Sequence, residues 1–320
     1  MKDKYGRTVD YLRVSVTDRC NLRCFYCIPK EGFTYIPHKE ILRYEELLRV
    51  IKLFTRLGIK KIRITGGEPF VRKGLVFLLK EINKINGIEK LYITTNGTLL
   101  TQYMNELRGI KIDGINISLD TLDPYKFQEI TGNDGLERVL QGVESALEAN
   151  FRVKLNTVLM KKNIDEVTSL VTYASEKKIP IRFIELMPFN FQKEWEKEFV
   201  PQEEAFEILK KKWTLEPVEK KLGEGPSRYY YIPELDSLVG FISPLTHNFC
   251  SSCNRIRLTA SGKINPCLAM PLEIDIKKPL RGGANDEELI TLIKRAIYEK
   301  PLQHEMDETP PNKIMRRLGG

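Results

Sequence analysis

A chain of 320 residues that is 42% hydrophobic and 29% charged has enough apolar material for a substantial core and enough length for about two domains, which excludes intrinsic disorder. No apolar run approaches the roughly 18 residues of a membrane-spanning helix, the longest being 75–79 and the Gly- and Pro-broken 238–245, so no membrane partner is expected. Fifty-one basic against 43 acidic residues leave a net charge of +8, which suits an anionic partner without saying whether it is nucleic acid, a membrane surface or a phosphorylated ligand.

In chain order, residues 1–10 have neither the apolar region of a secretory signal nor the acid-free character of a transit peptide, and the expectation is a cytoplasmic protein. Strands rich in Val, Ile, Tyr and Thr are then predicted at 11–17, 60–65, 90–95, 114–119, 151–159 and 180–187. Amphipathic helices fall between them at 45–57, 73–85, 99–107, 136–149 and 165–177, several ended by Gly or Asn. Repeated βα units mean parallel pairing in an open doubly wound sheet or a barrel, and six units fall two short of a full eight-stranded barrel. In either architecture ligands meet the C-terminal ends of the strands. There the sequence places Thr17 and Asp18, Thr65 to Gly67, Thr94 to Asn96, Ser118 with Asp120, Asn156, and Glu185 with Met187.

Beyond about residue 190 the pattern changes. A charged helix is predicted over 192–212, a Gly- and Pro-containing hinge over 221–228, short strands at 229–232, 238–242 and 255–259, and a last helix at 286–298. The expected division is 1–190 as a partial barrel, 191–307 as a smaller C-terminal α/β domain, and 308–320 as a flexible tail ending in Gly-Gly.

The six cysteines could make three disulfides, but the chain is long, apparently unsecreted and not disulfide-dense, so metal binding or catalysis is the better reading. Cys20, Cys24 and Cys27 form C-x3-C-x2-C directly after the first strand. Three thiolates would leave one iron of a four-iron cluster open for another ligand; zinc with His38 and three unrelated buried thiols are the alternatives. Cys250, Cys253 and Cys267 form C-x2-C-x13-C with His247 three residues upstream, which reads either as a Cys3His zinc knuckle or as a second three-thiolate cluster.

C-x3-C-x2-C with Tyr26 just before its third cysteine, together with Gly66-Gly67-Glu68-Pro69 at the end of the second strand, resembles the signature of the radical S-adenosylmethionine (SAM) enzymes. The second cysteine set followed by Asn254-Arg255-Ile256-Arg257, and the terminal Gly319-Gly320, resemble the GTP 3',8-cyclase family of molybdenum cofactor biosynthesis. This resemblance runs from Arg13 to the tail. It implies an incomplete (βα)6 TIM-type barrel with a smaller C-terminal α/β domain carrying a second Fe–S cluster.

It further implies that Cys20, Cys24 and Cys27 hold a [4Fe–4S] cluster binding SAM, and that Cys250, Cys253 and Cys267 hold a second whose open iron meets guanine. Tyr26, Gly67, Ser118 and Met187 match cofactor-contacting positions, Gly67 by letting backbone approach the methionine moiety, with Glu68 or its neighbours accepting from the ammonium. Arg13, Arg63, Thr94, Lys154, Arg255, Ile256 (through its backbone) and Arg257 match positions that contact GTP, with Arg182 a further candidate. Arg255, Arg257 and the Gly319-Gly320 tail would serve catalysis, and Arg316 and Arg317 would pair with phosphate or the barrel rim. The implied reaction removes the ribose 3' hydrogen of GTP and closes C3' onto guanine C8. It requires an external electron donor and hands its product to the cyclic pyranopterin monophosphate synthase, with the chain a monomer or homodimer.

Two other classes compete. A different radical SAM enzyme, a peptide-modifying maturase, is opposed by the Asn-Arg-Ile-Arg segment. A zinc-stabilised nucleic-acid module is opposed by basic residues scattered through strands rather than clustered with aromatics, so no nucleic-acid partner is expected. No G-x4-G-K-[ST] loop for ordinary GTP hydrolysis is present. The two triads predict about eight irons and eight sulfides per chain after anaerobic reconstitution; zinc with a single cluster would exclude the cyclase while sparing the superfamily.

Overall fold

The computed structural model describes residues 1–28, 33–189, 192–219, 225–306 and 315–319. The β-branched runs and the amphipathic stretches between them form the expected alternation: β1 (Tyr11–Ser15), α1 (Tyr44–Arg56), β2 (Lys61–Thr65), α2 (Leu75–Asn83), β3 (Lys90–Thr95), α3 (Leu100–Leu107), β4 (Gly114–Ser118), α4 (Pro124–Thr131), α5 (Leu136–Glu148), β5 (Val153–Leu159), α6 (Val167–Glu176) and β6 (Ile181–Glu185). These six strands lie side by side in chain order, all parallel.

The remainder contributes α7 (Gln192–Glu198), α8 (Gln202–Lys210), β7 (Glu216–Val218), β8 (Arg228–Ile232), β9 (Ser237–Ile242), β10 (Arg255–Leu258), β11 (Lys263–Asn265), β12 (Ile274–Asp275), α9 (Lys277–Arg281), α10 (Asp286–Tyr298) and α11 (Met315–Leu318). Its strands join the same sheet. β9 runs parallel beside β6 and β10 parallel beside β1, and β8–β7 and β11–β12 continue antiparallel on the two sides. One twelve-stranded sheet results, in the open order β12-β11-β10-β1-β2-β3-β4-β5-β6-β9-β8-β7. The parallel run is thus eight strands wide. The edges that β1 and β6 would otherwise expose are capped by later chain, the usual remedy for unpaired strand edges.

Period-two alternation separates the faces of this sheet. Leu12 and Val14, Ile62 and Ile64, and Ile256 and Leu258 are all at most 1% exposed and belong to the main apolar core with Leu47, Phe54 and Leu78. The residues between them, Arg13, Arg63, Arg255 and Arg257, turn to the opposite face and line a cavity.

Several elements differ from expectation, among them α9, which was not predicted, and α11, whose buried Arg316 and Leu318 lie within the stretch 308–320 expected as a flexible tail. Helix α4 was not predicted, although Asp123 caps it through Tyr125 N and Lys126 N, Pro124 occupies its first turn and Gly132 ends it in the left-handed conformation. The single helix expected over 192–212 is two, because the chain is extended at Pro201, the N-cap of α8. The short β7, β11 and β12 lack a periodic signal, and β7 contains Pro217, tolerable on an edge strand. The hinge expected at 221–228 and the boundary at 190–191 lie partly or wholly outside the described residues.

Gly142 shows how closely helix and loop pack. A Cβ there would stand 2.4 Å from the Gly97 carbonyl oxygen. Helix propensity favours Ala over Gly by about 1 kcal/mol, yet Gly142→Ala is expected to lower the thermal midpoint, checked by calorimetry; a raised midpoint would contradict this packing.

Candidate active site

The register of three neighbouring strands sets the floor of the site. Arg13 on β1 is paired with Arg257 on β10 and with Arg63 on β2, so three guanidiniums stand in one row on one face. Like charges on adjacent strands repel, and Arg63 carries its guanidinium onward to Thr94 on β3. The strain is visible in the row. Burial, then Arg257 and Arg63, hold Arg13 well below the ordinary arginine range, and burial followed by Arg255 brings Arg257 down to about 10.

Aromatic and hydroxyl groups hold this row rather than carboxylates. Arg63 Nε donates to Tyr11 Oη at 2.5 Å and Nη1 to Thr94 Oγ1 at 3.1 Å, with the guanidinium over the Tyr92 ring. Arg257 Nε is buried without a hydrogen-bond partner among the described residues, as is Arg182 Nε, although Arg182 Nη2 donates to Asn156 Oδ1 at 2.6 Å. Lys154 Nζ donates to Tyr229 Oη at 3.2 Å. A buried cationic surface with few anions of its own is a seat for a polyanion.

Both cysteine triads open onto this same cavity of about 620 Å³, together with Tyr26, Gly67, Thr94, Ser118, Lys154, Arg182 and Met187. No disulfide joins any of the six thiols. In the first loop, Leu22 N donates to Cys20 Sγ at 3.4 Å and Asn96 Nδ2 lies 3.6 Å from it. Burial drives the Cys24 thiol well up and the Cys27 thiol to about 12. Tyr26 Oη donates to Asp120 Oδ2 at 2.6 Å, and burial lifts that carboxyl to about 6.

In the second triad one thiol is lowered instead. Burial works against the Cys253 thiolate, but Arg255 and Lys300 prevail and bring its pKa to about 6. Lys300, only 3% exposed, donates to the carbonyls of Arg255 at 3.0 Å and Pro266 at 2.9 Å. Arg7 donates to the Cys250 carbonyl at 2.7 Å and to those of Pro301 and Leu302. His247, the candidate zinc ligand, instead meets Glu203 at 2.5 Å. Among the described residues no three His, Cys, Asp or Glu side chains converge on a single ion; the thiolates of a cluster bind different irons and need not converge.

The Radical SAM superfamily model matches residues 14–174, and that of Molybdenum Cofactor Synthesis C matches 179–306. The chain is 44% identical to the GTP 3',8-cyclases of Thermodesulfovibrio yellowstonii and of Clostridium perfringens strain 13, over 100% of this chain and of each relative. The chain belongs to the GTP 3',8-cyclase family (MoaA) of radical SAM enzymes. In fold it also resembles Streptococcus suis SuiB bound to S-adenosylmethionine, with a TM-score of 0.58 at 17% identity over 90% of this chain and 68% of that one. It is thus a molybdenum cofactor biosynthesis enzyme acting on a small molecule, and no helix among the described residues is long and apolar enough to cross a membrane.

Membership in the GTP 3',8-cyclase family implies SAM and [4Fe–4S] chemistry, and the donor sets fit: two thiol triads without disulfides, facing one cavity with a guanidinium row between them. One expected detail gains a second reason and another changes. A Cβ on Gly67 would stand 2.3 Å from the Arg19 carbonyl oxygen, and one on Gly66 2.7 Å from that of Thr17, so the glycine pair is required by close packing against the backbone leading to Cys20. Glu68 is fully buried and is not among the cavity-lining residues. It accepts from Phe70 N, Thr95 Oγ1 and Asn96 N, and burial raises it to about 7. Its carboxylate joins the second and third strand ends instead of reaching into the cavity.

The Ile256 side chain packs into the core, which leaves only its backbone near the cavity. Gly319 does not line the cavity wall but packs at the end of the sheet, its carbonyl accepting from Arg13 Nη2 at 3.3 Å. Its φ of 76° and the 2.8 Å that would separate a Cβ there from Thr65 Cγ2 both call for glycine. Gly320 lies outside the described residues. Arg316 and Arg317 donate to the carbonyls of Leu22 and Thr34, and Arg316 also lines the cavity. Lys300, Tyr11 and Arg7 escaped the sequence reading, since neither a chemical motif nor strand periodicity marks them. Gly67→Ala is expected to displace the first cysteine loop and lower iron after reconstitution from about eight toward about four per chain, with far-ultraviolet circular dichroism unchanged.

Proposed function

We propose that this chain is a GTP 3',8-cyclase, and that the in-register row Arg63–Arg13–Arg257 between two cysteine triads is the observation that carries the reading. A GTP triphosphate brings roughly four negative charges, and guanidinium forks satisfy phosphate oxygens bidentately. The repulsion within the row is thereby turned into binding. Arg13, Arg63, Thr94, Lys154, Arg255, Arg257 and the Ile256 backbone would hold the nucleotide, with Tyr11 and Tyr92 keeping Arg63 extended along the floor.

Cys20, Cys24 and Cys27 would hold the [4Fe–4S] cluster that binds SAM, beside Tyr26, Gly67, Ser118 and Met187; Cys250, Cys253 and Cys267 would hold the second, toward guanine. When bound, the first cluster and SAM would supply the radical chemistry that takes the ribose 3' hydrogen of GTP; closure of C3' onto guanine C8 would leave one unpaired electron on the base, quenched by one electron from the external donor and one proton. The chain's own part is to bind and orient. Arg255, over the Phe249 ring at 4.9 Å and near Cys253, and Arg257, beside Arg13, fix the nucleotide between the triads. Gly319 stands beside Arg13, its carbonyl accepting from Nη2, and the Gly319-Gly320 tail would serve the reaction from there.

In this reading 1–190 is the SAM-binding unit, 191–307 carries the second cluster and 308–320 is the tail. The matches ending at 174 and starting at 179 support a two-part division. The enzyme works in the cytoplasm as a monomer or homodimer, takes electrons from an external donor and passes its product to the cyclic pyranopterin monophosphate synthase.

Anaerobic incubation with GTP, SAM and dithionite should yield 5'-deoxyadenosine and a cyclised nucleotide. Arg255→Ala or Arg257→Ala should abolish GTP conversion while leaving reductant-driven SAM cleavage measurable. Unchanged GTP turnover in both variants would mean that the nucleotide site is elsewhere.

A further inference from the structure

Arg316 is only 2% exposed, and it lines the cavity beside Cys20, Cys24 and Cys27 although it comes from α11 at the far end of the chain. Its Nη2 donates to the carbonyl of Leu22, inside the C-x3-C-x2-C loop. Arg317 donates to the Thr34 carbonyl at 2.7 Å, and both guanidiniums lie over the Phe33 ring at 5.5 and 5.3 Å. Helix α11 is therefore strapped to chain on both sides of the third cysteine.

Arg316 Nε and Nη1 are buried with no hydrogen-bond partner, and no carboxylate stands within ion-pair distance of this side chain among the described residues. A guanidinium buried without a counter-charge is strongly disfavoured, so an anion belongs beside it. Cys20, Cys24 and Cys27 line the same cavity as this guanidinium. Three thiolates on a four-iron core carry about one net negative charge, and about two after one-electron reduction. A fixed positive charge on the same cavity wall favours the reduced form.

We infer that Arg316 is a positioning and charge-compensating residue for the first cluster, through which the C-terminal helix helps set the potential at which SAM is cleaved. The inference rests on the reading that Cys20, Cys24 and Cys27 hold a [4Fe–4S] cluster. One electron enters the cluster from the external low-potential donor, and no bond to Arg316 forms or breaks.

The test is a redox titration of the reconstituted full-length chain followed by electron paramagnetic resonance, with and without SAM, whose addition changes the signal of the first cluster and so identifies it. Arg316→Gln should make reduction of that cluster at least tenfold less favourable, a midpoint more negative by 59 mV or more for one electron, while Arg316→Lys stays within about twofold of the parent. An unshifted Arg316→Gln midpoint, or a Lys variant shifted as far as the Gln variant, would overturn the inference. Should Arg316→Gln fail to take up the first cluster, rescue of iron uptake by Arg316→Lys supports the charge role, and failure of both variants overturns it. A parent chain without iron on the first triad would remove the cluster reading itself, whereas a loaded parent with an unshifted variant removes only the role of Arg316.

Discussion

The parallel pairing of β10 with β1 is the interaction on which the site depends. It joins residues more than 240 positions apart, Arg257 beside Arg13 and Arg255 beside Tyr11, and so carries the second cysteine triad to the wall of the cavity that the first already lines. With it, three cations stand in a row that repels itself, and the protein tolerates that repulsion because the apolar residues on the opposite face are fully packed. Leu12, Ile62 and Ile256, the alternate neighbours of the row, are at most 1% exposed. Core and site are two faces of the same strands, and neither can shift register by one residue without exchanging places with the other.

Around this floor, buried polar groups serve mainly to hold loops. Glu68 ties the second strand end to Asn96, which reaches Cys20; Asp120 ties Tyr26 to β5 through Val158 N at 2.8 Å; Arg7 and Lys300 hold the carbonyls around Cys250 and Arg255. Each makes several hydrogen bonds, as a buried charge must. Burial raises Cys20, Cys24 and Cys27 and also Cys250, whereas Arg255 and Lys300 bring Cys253 down. The same α/β floor thus offers two thiolate sites beside one anion seat.

Much of this was legible in the linear chain. The six strands and five of the helices between them follow from periodicity, and only α4 was overlooked, although Asp123, Pro124 and Gly132 signal it. Among the candidate site residues that the structure describes, the cysteines, Tyr26, Ser118, Met187, Thr94, Lys154 and the four arginines all line one cavity. The packing role of Gly67 and the bonding of Glu68 were not legible, for a common reason. Their roles depend on which backbone lies within about 3 Å, the carbonyl of Arg19 for the one and the amides of Phe70 and Asn96 for the other, and no local pattern encodes that distance.

Sequence by itself determined the α/β alternation, the two cysteine spacings and the alternation of Arg with Ile, Leu or Val that sends charge to one face of each strand. These are local properties, set by the two-residue period of a strand and by ligand spacing within a loop. Tertiary structure alone decided that strands from the last third would extend the first sheet on both sides to eight parallel members. It also decided that Lys300 and Arg316, unmarked by any motif, would become buried cations at the two thiol sites. The physical reason is register: hydrogen bonding between strands distant in the chain fixes which side chains share a row, and that pairing exists only once the sheet has formed.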